Sequence, residues 1–211
     1  MVDKDLFLHD LAVVAILKNE TPYLKEWLDY HLLAGVDHFY LYDNDSTDNQ
    51  AEIAAPYVEA GLVDYFPASG AVMKMPVYND ALKRFKFHCR YMAFIDADEF
   101  LFPKTNRSVV EVVDEILSRD KNAAGLAINW QIFGSNGHEN ADYSRGVLER
   151  FTRRAPSDWT SKGYGNAHVK IIVAPRKTDL INNPHCARYF ENLYPVNENE
   201  KNRQRQFTER L

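Results

Sequence analysis

The sequence predicts an α/β fold in which helices cover both faces of a largely parallel sheet. Its 211 residues, at about 100–200 residues per domain, are enough for one such domain. With 45% hydrophobic and 26% charged residues, the composition is typical of a globular protein. Short apolar runs alternate with amphipathic segments through the first half of the chain. This alternation is typical of a doubly wound parallel sheet with crossover helices.

The elements of the first half follow from apolar runs and helix-ending residues. The expected strands are residues 11–17, 38–42, 62–66 and 91–95. The expected helices begin at Pro22, Gln50 and Pro76 and end near Gly35, Gly61 and Arg90. Residues 11–17 are continuously apolar, as in a strand that is covered on both faces. Thr21 is an N-cap candidate, because threonine is a common N-cap residue and Pro22 suits the first helical turn. Gly35 and Gly61 mark helix ends, because glycine commonly follows the last helical turn.

The second half is less regular. Ser108 and Glu111 have the spacing of a capping box, which predicts a helix to about Arg119. Residues 125–133 and 168–174 predict two further strands, and a polar loop at 134–142 lies between them. Because strict alternation is lost here, we expect the sheet to be mixed in this half.

Charge and cysteine content exclude several classes of protein. The chain has 25 Lys and Arg against 30 Asp and Glu, a net charge of -5. Nucleic-acid and anionic-membrane binders normally carry a basic surplus, so no nucleic-acid partner is expected. Cys89 and Cys186 are too few for a disulfide framework and are expected to be free thiols. No run reaches the about 20 apolar residues of a membrane span, and Met1–Asp5 is no signal peptide, so a cytoplasmic protein is expected.

Polar residues follow three of the predicted strands. They are Lys18, Asn19 and Glu20; Asp43, Asn44 and Asp45; and Asp96, Asp98 and Glu99. Ligands of open α/β sheets bind beyond the carboxyl ends of the strands. Carboxylates collected at one edge repel each other, and a divalent cation would remove that repulsion. We therefore expect a ligand site at this edge.

Asp96 and Asp98 are the best candidates for holding a metal. Carboxylate oxygens suit Mg²⁺ or Mn²⁺, which can stabilise a departing diphosphate. An Asp-x-Asp pair alone is also common in solvated turns, but this pair directly follows an apolar strand. His185 is a candidate third ligand, with a surface or core histidine as the alternative. A phosphatase-type D-x-D-x-T motif fits poorly, because Phe100 occupies the hydroxyl position.

Several segments occur in a specific order along the chain: KNE at 18–20, YLKEWLDYH at 23–31, GVDHFYLYDNDSTD at 35–48, FIDADEFLFP at 94–103, WQIFGSNGH at 130–138, ERFT at 149–152, KIIVAP at 170–175 and Pro184-His185. This ordered set resembles the family 92 glycosyltransferases, which belong to the family-2-like enzymes of the GT-A fold. Each segment alone is modest evidence, but their order is specific.

The resemblance implies a GT-A-like, Rossmann-like three-layer sandwich over residues 1–187. Its sheet would be mostly parallel and mixed in the C-terminal half. The implied activity is metal-dependent transfer of a hexosyl group, with galactosyl as the first guess, from a UDP-sugar to a glycan acceptor. The outcome at the anomeric carbon would be inverting, and the cofactor would be Mn²⁺ or Mg²⁺.

The resemblance also assigns roles to residues. Asp96, Asp98 and His185 would hold the metal, and Asp96 would contact ribose or a metal-bound water. The expected nucleotide-sugar-binding residues are Lys18, Asn19, Glu20, Asp43, Asn44, Asp45, Asp96 and Lys170. An inverting transferase needs a base within about 3 Å of the acceptor hydroxyl. The candidates for that base are His138, Glu139 and Asp142, with Glu99 as a further one, and solvated loop carboxylates are the alternative reading.

The remaining expectations concern the acceptor and the chain end. Trp130 and Ser135 are expected to bind the acceptor, although Trp130 could instead belong to the core. The family pattern continues with an Asn-His-Tyr and a Lys-Ser segment that residues 188–211 lack, so we expect a polar, shortened tail there. Peripheral membrane contact is expected only through a lipid-linked acceptor. A catalytically impaired nucleotide- or glycan-binding module and a metal-dependent phosphoesterase stay open as alternatives.

Overall fold

A computed structural model describes residues 7–140, 142–161 and 164–198. Its first strands are β1 (His9–Leu17), β2 (His38–Asp43), β3 (Val63–Pro67) and β4 (Cys89–Phe94). The helices are α1 (Thr21–Leu33), α2 (Gln50–Glu59), α3 (Lys74–Phe85), α4 (Val109–Ser118) and α5 (Val147–Arg150). The later strands are β5 (Ala123–Asn129), β6 (Thr160–Ser161), β7 (Tyr164–Gly165), β8 (Val169–Val173), β9 (Thr178–Asn183), β10 (Cys186–Tyr189) and β11 (Tyr194–Asn197).

Within the described residues, seven strands form one sheet in the order β11-β5-β8-β4-β1-β2-β3. β8 is antiparallel to both β4 and β5, and every other neighbouring pair is parallel. The predicted α/β class, mostly parallel and mixed in the second half, is confirmed. Because β8 runs against β4, its first residues lie beside the carboxyl end of β4, where Phe94 pairs with Ile171.

The sheet is covered on both faces, which makes the fold three-layered. Trp27 of α1 and Val113 of α4 pack on one face, and Tyr78 of α3 packs on the other. The neighbouring β1 residues Val13 and Val14 belong to opposite layers, and both are 0% exposed. Burial on both faces explains why this strand has a continuous apolar sequence.

The boundary between α3 and β4 differs from the prediction. The helix was expected to run to about Arg90, but it ends at Phe85, and the strand begins at Cys89. Cys89 is the partner of His9 across β1 and β4. The His88 carbonyl accepts hydrogen bonds from the backbone N–H groups of Leu8, at 2.8 Å, and His9, at 3.0 Å. Pairing with β1 therefore overrides the local helical pattern.

The expected tail boundary at residue 188 also differs from the structure. Tyr189 ends β10, and β11 pairs in parallel with β5 at the edge of the central sheet. Val196 of β11 is only 4% exposed and belongs to the apolar core. One buried valine among polar residues is a weak signal, which explains why the sequence reads as a tail. Residues 199–211 lie outside the described part of the chain.

The composition led to expectations about the cysteines and about membrane-spanning segments. Cys89 and Cys186 are both free thiols. Burial raises the pKa of the Cys89 thiol to about 12, so it stays protonated. No helix in the described part of the chain combines the length and apolarity needed to cross a membrane.

Ser108→Ala is expected to lower the free energy of unfolding by about 1 kcal/mol, because it removes the side-chain acceptor of the first turn of α4. Ser108 Oγ accepts from the Glu111 N–H at 3.3 Å, and the Ser108 N–H donates to Glu111 Oε2 at 2.8 Å. Urea unfolding followed by circular dichroism measures the change, with Ser118→Ala at the far end of the helix as the control. Equal losses in both variants would contradict a specific role for the cap.

Candidate functional site

The structure places three polar segments at one edge of the sheet. Leu17 at the end of β1 pairs with Asp43 at the end of β2, so residues 18–20 and 43–45 leave the sheet side by side. β4 runs parallel to β1, and residues 96–99 follow it at the same edge. We call this the carboxyl edge.

A buried lysine holds the loop after β4. Lys170 Nζ lies 2.9 Å from Asp96 Oδ2 and 3.1 Å from Glu99 Oε2, and its side chain is only 5% exposed. The same Glu99 oxygen accepts a hydrogen bond from the Asp96 backbone N–H at 2.9 Å. Lys170 therefore lies at the predicted site, but its partners are carboxylates. Glu99 is bound within this cluster, which argues against it as the acceptor base.

A second lysine reaches Asp96 from α3. Lys74 Nζ lies 2.6 Å from Asp96 Oδ1, and its side chain is 38% exposed. The Tyr78 hydroxyl, one helical turn later, lies 3.5 Å from the same oxygen. The sequence reasoning missed both residues, because the signal is an i, i+4 pair on a helix that lies far from Asp96 along the chain. The spacing of Lys74 and Tyr78 predicts that they share one face of α3, but it does not predict what that face contacts.

Helix α1 fixes the backbone after β4. Trp27 Nε1 donates to the Glu99 carbonyl at 2.7 Å, and the Leu101 N–H donates to His31 Nε2 at 3.1 Å. Burial lowers the pKa of His31 to about 4, so the ring is neutral and Nε2 is a permanent acceptor. Both side chains are 0% exposed. The loop is thus set by core residues of a different element.

The carboxylates at this edge have different proton affinities. Burial disfavours ionisation of Asp96, but Lys170 and Lys74 outweigh it, so the pKa of Asp96 lies below its ordinary value. Burial raises the pKa of Glu99 despite Lys170. Burial, followed by repulsion from Asp98, raises the pKa of Glu20. The negative charge at this edge is therefore only partly balanced by the two lysines.

The predicted metal ligands have suitable donor atoms, but they are not grouped into a metal site in the described part of the chain. Among the described residues, no three His, Cys, Asp or Glu side chains are grouped so that they could hold a metal ion. Asp98 is exposed at the carboxyl edge, whereas both Asp96 oxygens face lysines. His185 Nδ1 lies 2.7 Å from the Val169 carbonyl, so Nδ1 carries the proton. Burial lowers the pKa of His185, which leaves Nε2 as a lone-pair donor, as in metal-binding histidines. The donor types fit a divalent cation.

The polar residues after β2 bind neighbouring loops. Asp43 Oδ1 accepts from the Ser46 N–H at 3.0 Å and from Gln50 Nε2 at 3.2 Å. Asn44 Nδ2 donates to two carbonyls beyond β3, those of Ala68 and Gly70, both at 2.8 Å. Asp45 Oδ2 accepts from the Gly70 N–H at 3.0 Å. These contacts give the segment a structural role that the nucleotide assignment did not include.

The loop after β1 is held by the same segment. The Asn19 N–H donates to Ser46 Oγ at 3.1 Å, and Asn19 Oδ1 accepts from the Thr47 N–H at 2.8 Å. Asp48 Oδ2 accepts from the Thr21 N–H at 3.0 Å. Thr21, the expected N-cap, is instead the first residue of α1, and Asp48 from the neighbouring loop caps this helix. Lys18 is exposed at the edge.

Helix α5, which follows the candidate catalytic loop, packs on α1. Glu26 accepts hydrogen bonds from the backbone N–H groups of Val147, at 2.5 Å, and Leu148, at 3.1 Å. Asp142 Oδ1 accepts from the Ser144 hydroxyl at 2.6 Å, so this carboxylate stabilises its own turn. Glu139 and Ser135 are exposed, and the His138 ring lies 6.2 Å from Phe151. No hydrogen bond in the described residues joins His138, Glu139 or Asp142 to Asp96.

Trp130 lies beside the lysine cluster. Its ring stacks on His168 at 5.3 Å, and its centroid is 5.5 Å from that of His185 and 6.0 Å from Lys170 Nζ. Trp130 Nε1 is buried and has no hydrogen-bond partner among the described residues. Trp130 is partly buried and borders the carboxyl edge, and its role in binding the acceptor stays a prediction.

The chain matches the model of a known protein family. The model of Glycosyltransferase family 92 matches residues 14–206, most of the chain. The chain belongs to glycosyltransferase family 92. The resemblance inferred from the ordered segments is confirmed.

Curated members of family 92 match parts of the chain. A family 92 protein of Ricinus communis is 27% identical over 151 residues, covering 69% of this chain and 26% of that protein. One of Arabidopsis thaliana is 34% identical over 101 residues, covering 47% and 18%. A galactan beta-1,4-galactosyltransferase of Arabidopsis thaliana is 28% identical over 100 residues, covering 43% and 19%. The aligned regions span about a quarter or less of these relatives.

Solved structures align at low identity. S. aureus TarS 1-349 in complex with UDP aligns with a TM-score of 0.44 and 19% identity, covering 63% of this chain and 38% of that chain. HddC from Yersinia pseudotuberculosis aligns with a TM-score of 0.45 and 11% identity, covering 89% and 82%.

Lys170→Met is expected to lower the free energy of unfolding by about 3 kcal/mol at pH 7, because two partly buried carboxylates lose their shared cation. The loss should shrink as the pH falls. Removal of the cation raises the pKa of both Glu99 and Asp96 in the folded variant. The folded variant then binds protons more readily than its unfolded chain does. Lowering the pH therefore stabilises the variant relative to wild type.

Urea unfolding at pH 7, 6 and 5 measures this difference. Lys74→Met is the matched comparison, because within the described residues this half-exposed lysine pairs with Asp96 alone. It should therefore contribute less than about 1 kcal/mol. Equal losses in the two variants, or a Lys170→Met loss that does not change with pH, would contradict the central role of Lys170.

Proposed function

We propose that this chain is a glycosyltransferase domain that moves a hexosyl group, first of all galactosyl, from a UDP-sugar to a glycan acceptor. The observation that carries the proposal is the convergence of Asp96, Asp98, Lys74 and Lys170 at the carboxyl edge of a family 92 fold. Such edges are where open α/β sheets bind nucleotides. Family membership supports the reaction class, and the galactan galactosyltransferase relative supports galactose as the first sugar to test.

The two lysines divide the work of binding the donor. Lys170 is buried between two carboxylates, so it keeps Asp96 oriented. Lys74 is more exposed and can turn from Asp96 towards an entering diphosphate. Its ammonium would then neutralise charge on the nucleotide, which strengthens an interaction where water is partly excluded. The loops at 18–20 and 43–45 would form the nucleotide-facing wall.

Asp98, Asp96 and the Nε2 atom of His185 would hold a Mn²⁺ or Mg²⁺ ion after moving together, because no three such side chains are grouped for a metal among the described residues. When bound, that ion supplies neutralisation of the diphosphate as it leaves. Asp98 is exposed and His185 has the tautomer that a ligand needs, which supports this assignment. Lys170 would keep Asp96 ionised, because its positive charge lowers the pKa of that carboxyl group.

Transfer requires a proton acceptor on the acceptor side. In an inverting reaction the acceptor oxygen bonds to the anomeric carbon while the bond to the diphosphate oxygen breaks, and UDP leaves with the electron pair. The acceptor proton passes to a base. We favour His138 or Glu139 over Asp142, since Asp142 is committed to Ser144. Trp130 would border the sugar through its partly buried ring.

Asp98→Asn is expected to weaken Mn²⁺-dependent binding of UDP by about tenfold or more, because one metal ligand is lost. Calorimetric titration of UDP with Mn²⁺, and then with EDTA, measures the affinity. Asp98 is exposed, so the urea midpoint of unfolding should stay unchanged. Asp158→Asn, at another exposed position, is the control. Unchanged Mn²⁺-dependent affinity in Asp98→Asn would remove the metal assignment.

Turnover separates transfer from the two alternatives. We expect release of UDP from UDP-galactose or a related sugar nucleotide, and no phosphate release from p-nitrophenyl phosphate. Release of phosphate from the aryl ester would indicate a phosphoesterase built from the same carboxylates. Binding of UDP without release from any sugar nucleotide would indicate a binding module.

A further inference from the structure

The edge opposite the candidate site carries exposed aromatic side chains. Phe87, just before β4, is 64% exposed, and Phe190, just after β10, is 43% exposed. Leu8, just before β1, is 72% exposed. Such side chains close together on a protein surface mark an interaction site, whereas scattered ones need no explanation.

Cations join these aromatic rings into one surface. The Arg176 guanidinium lies 4.3 Å from the Phe7 ring centroid and 5.5 Å from that of Phe87. Lys86 Nζ lies 5.5 Å from the Phe87 centroid and 5.6 Å from that of Phe190. Arg176 also donates to the Phe87 carbonyl at 3.2 Å. We call these five residues the aromatic-cationic patch.

The patch is basic although the chain is acidic. The net charge is -5, yet none of the five patch residues is a carboxylate. In the neighbouring segment, Arg84 pairs with Asp80, and Arg90 pairs with Asp10 and Asp114, so these two arginines are balanced by carboxylates. Lys86 forms no ion pair with a carboxylate in the described part of the chain. The patch therefore carries the cations Lys86 and Arg176, which the net charge of the chain does not reveal.

We propose that the aromatic-cationic patch docks this protein on an anionic lipid bilayer. Phenylalanine rings enter the interface between headgroups and acyl chains, and lysine and arginine side chains extend to the anionic headgroups. In this patch both residue types are present, and each cation lies over two of the rings. Self-association through the patch is disfavoured, because a two-fold interface would bring two copies of the same positively charged patch together.

The geometry sets the orientation of a docked molecule. Phe87 precedes β4 and Asp96 follows it, so at about 3.3 Å per residue the patch lies roughly 25–30 Å from the carboxyl edge. A bilayer on the patch would leave the candidate donor site facing the water. The proposal does not depend on the proposed function, since the two surfaces lie at opposite ends of β4.

Sedimentation of the full 211-residue chain with sucrose-loaded vesicles tests the docking. We expect binding to phosphatidylcholine vesicles with 30% phosphatidylserine, weaker binding in 0.5 M salt, and little binding to pure phosphatidylcholine. Lys86→Glu should lower the partition coefficient about fivefold or more, since each basic residue near the surface contributes about that factor. The double variant Phe87→Gln/Phe190→Gln should lower it as well.

The controls keep the charge and polarity changes but move them elsewhere. Lys104→Glu makes the same charge change at an exposed loop position, and Leu33→Gln changes an apolar side chain that is 89% exposed on α1. Both should bind vesicles as wild type does, and all variants should keep the wild-type urea midpoint. Absence of wild-type binding to anionic vesicles, or equal losses in patch and control variants, would overturn the proposal. A dimer that Lys86→Glu dissociates, without vesicle binding, would also overturn it and identify the patch as a self-interface.

Discussion

The ammonium group of Lys170 is the interaction on which the candidate site depends. A buried cation is unfavourable unless it is paired, and its partners Asp96 and Glu99 are themselves partly buried. The three charges therefore stabilise each other only as a set. Their meeting requires that β8 run against β4, because only then does the start of one strand lie beside the end of the other. The single antiparallel strand among the described members of the central sheet thus has a direct chemical consequence.

Rigidity at the carboxyl edge comes from side chains that replace missing backbone partners. Asn19 joins the first loop to the second, and Asn44 joins the second loop to the third. Asp48 caps α1 from a neighbouring loop. Asp43 holds its own loop, since Ser46 and Gln50 both donate to Oδ1. The loops after β1, β2 and β3 are thus fixed to one another by these side chains.

The sequence predicted the features that depend on local chemistry. The capping box at Ser108 is present, and Gly35 after α1 adopts a φ of 99°, which favours glycine. Features that depend on distant partners were missed. Lys74 meets Asp96 only because α3 crosses the sheet, and β11 is a strand only because β5 offers it an edge. The assignment of Asp96 as a metal ligand remains a prediction. An Asp-x-Asp pattern does not show that both Asp96 oxygens contact lysines.

Strand direction separates two kinds of surface in this molecule. Parallel strands deliver their carboxyl ends to one edge, and there the sequence supplies Asp and Glu with two lysines. Their amino ends gather at the other edge, where Lys86 and Phe87 precede β4. One part of this edge, the aromatic-cationic patch, carries two cations and no carboxylate, whereas Asp37 precedes β2 at the same edge. Because net charge averages the two edges, it describes neither, and partners of this protein are better inferred edge by edge than from composition. The same reasoning applies to any parallel α/β domain, in which residues just before and just after a strand face opposite environments.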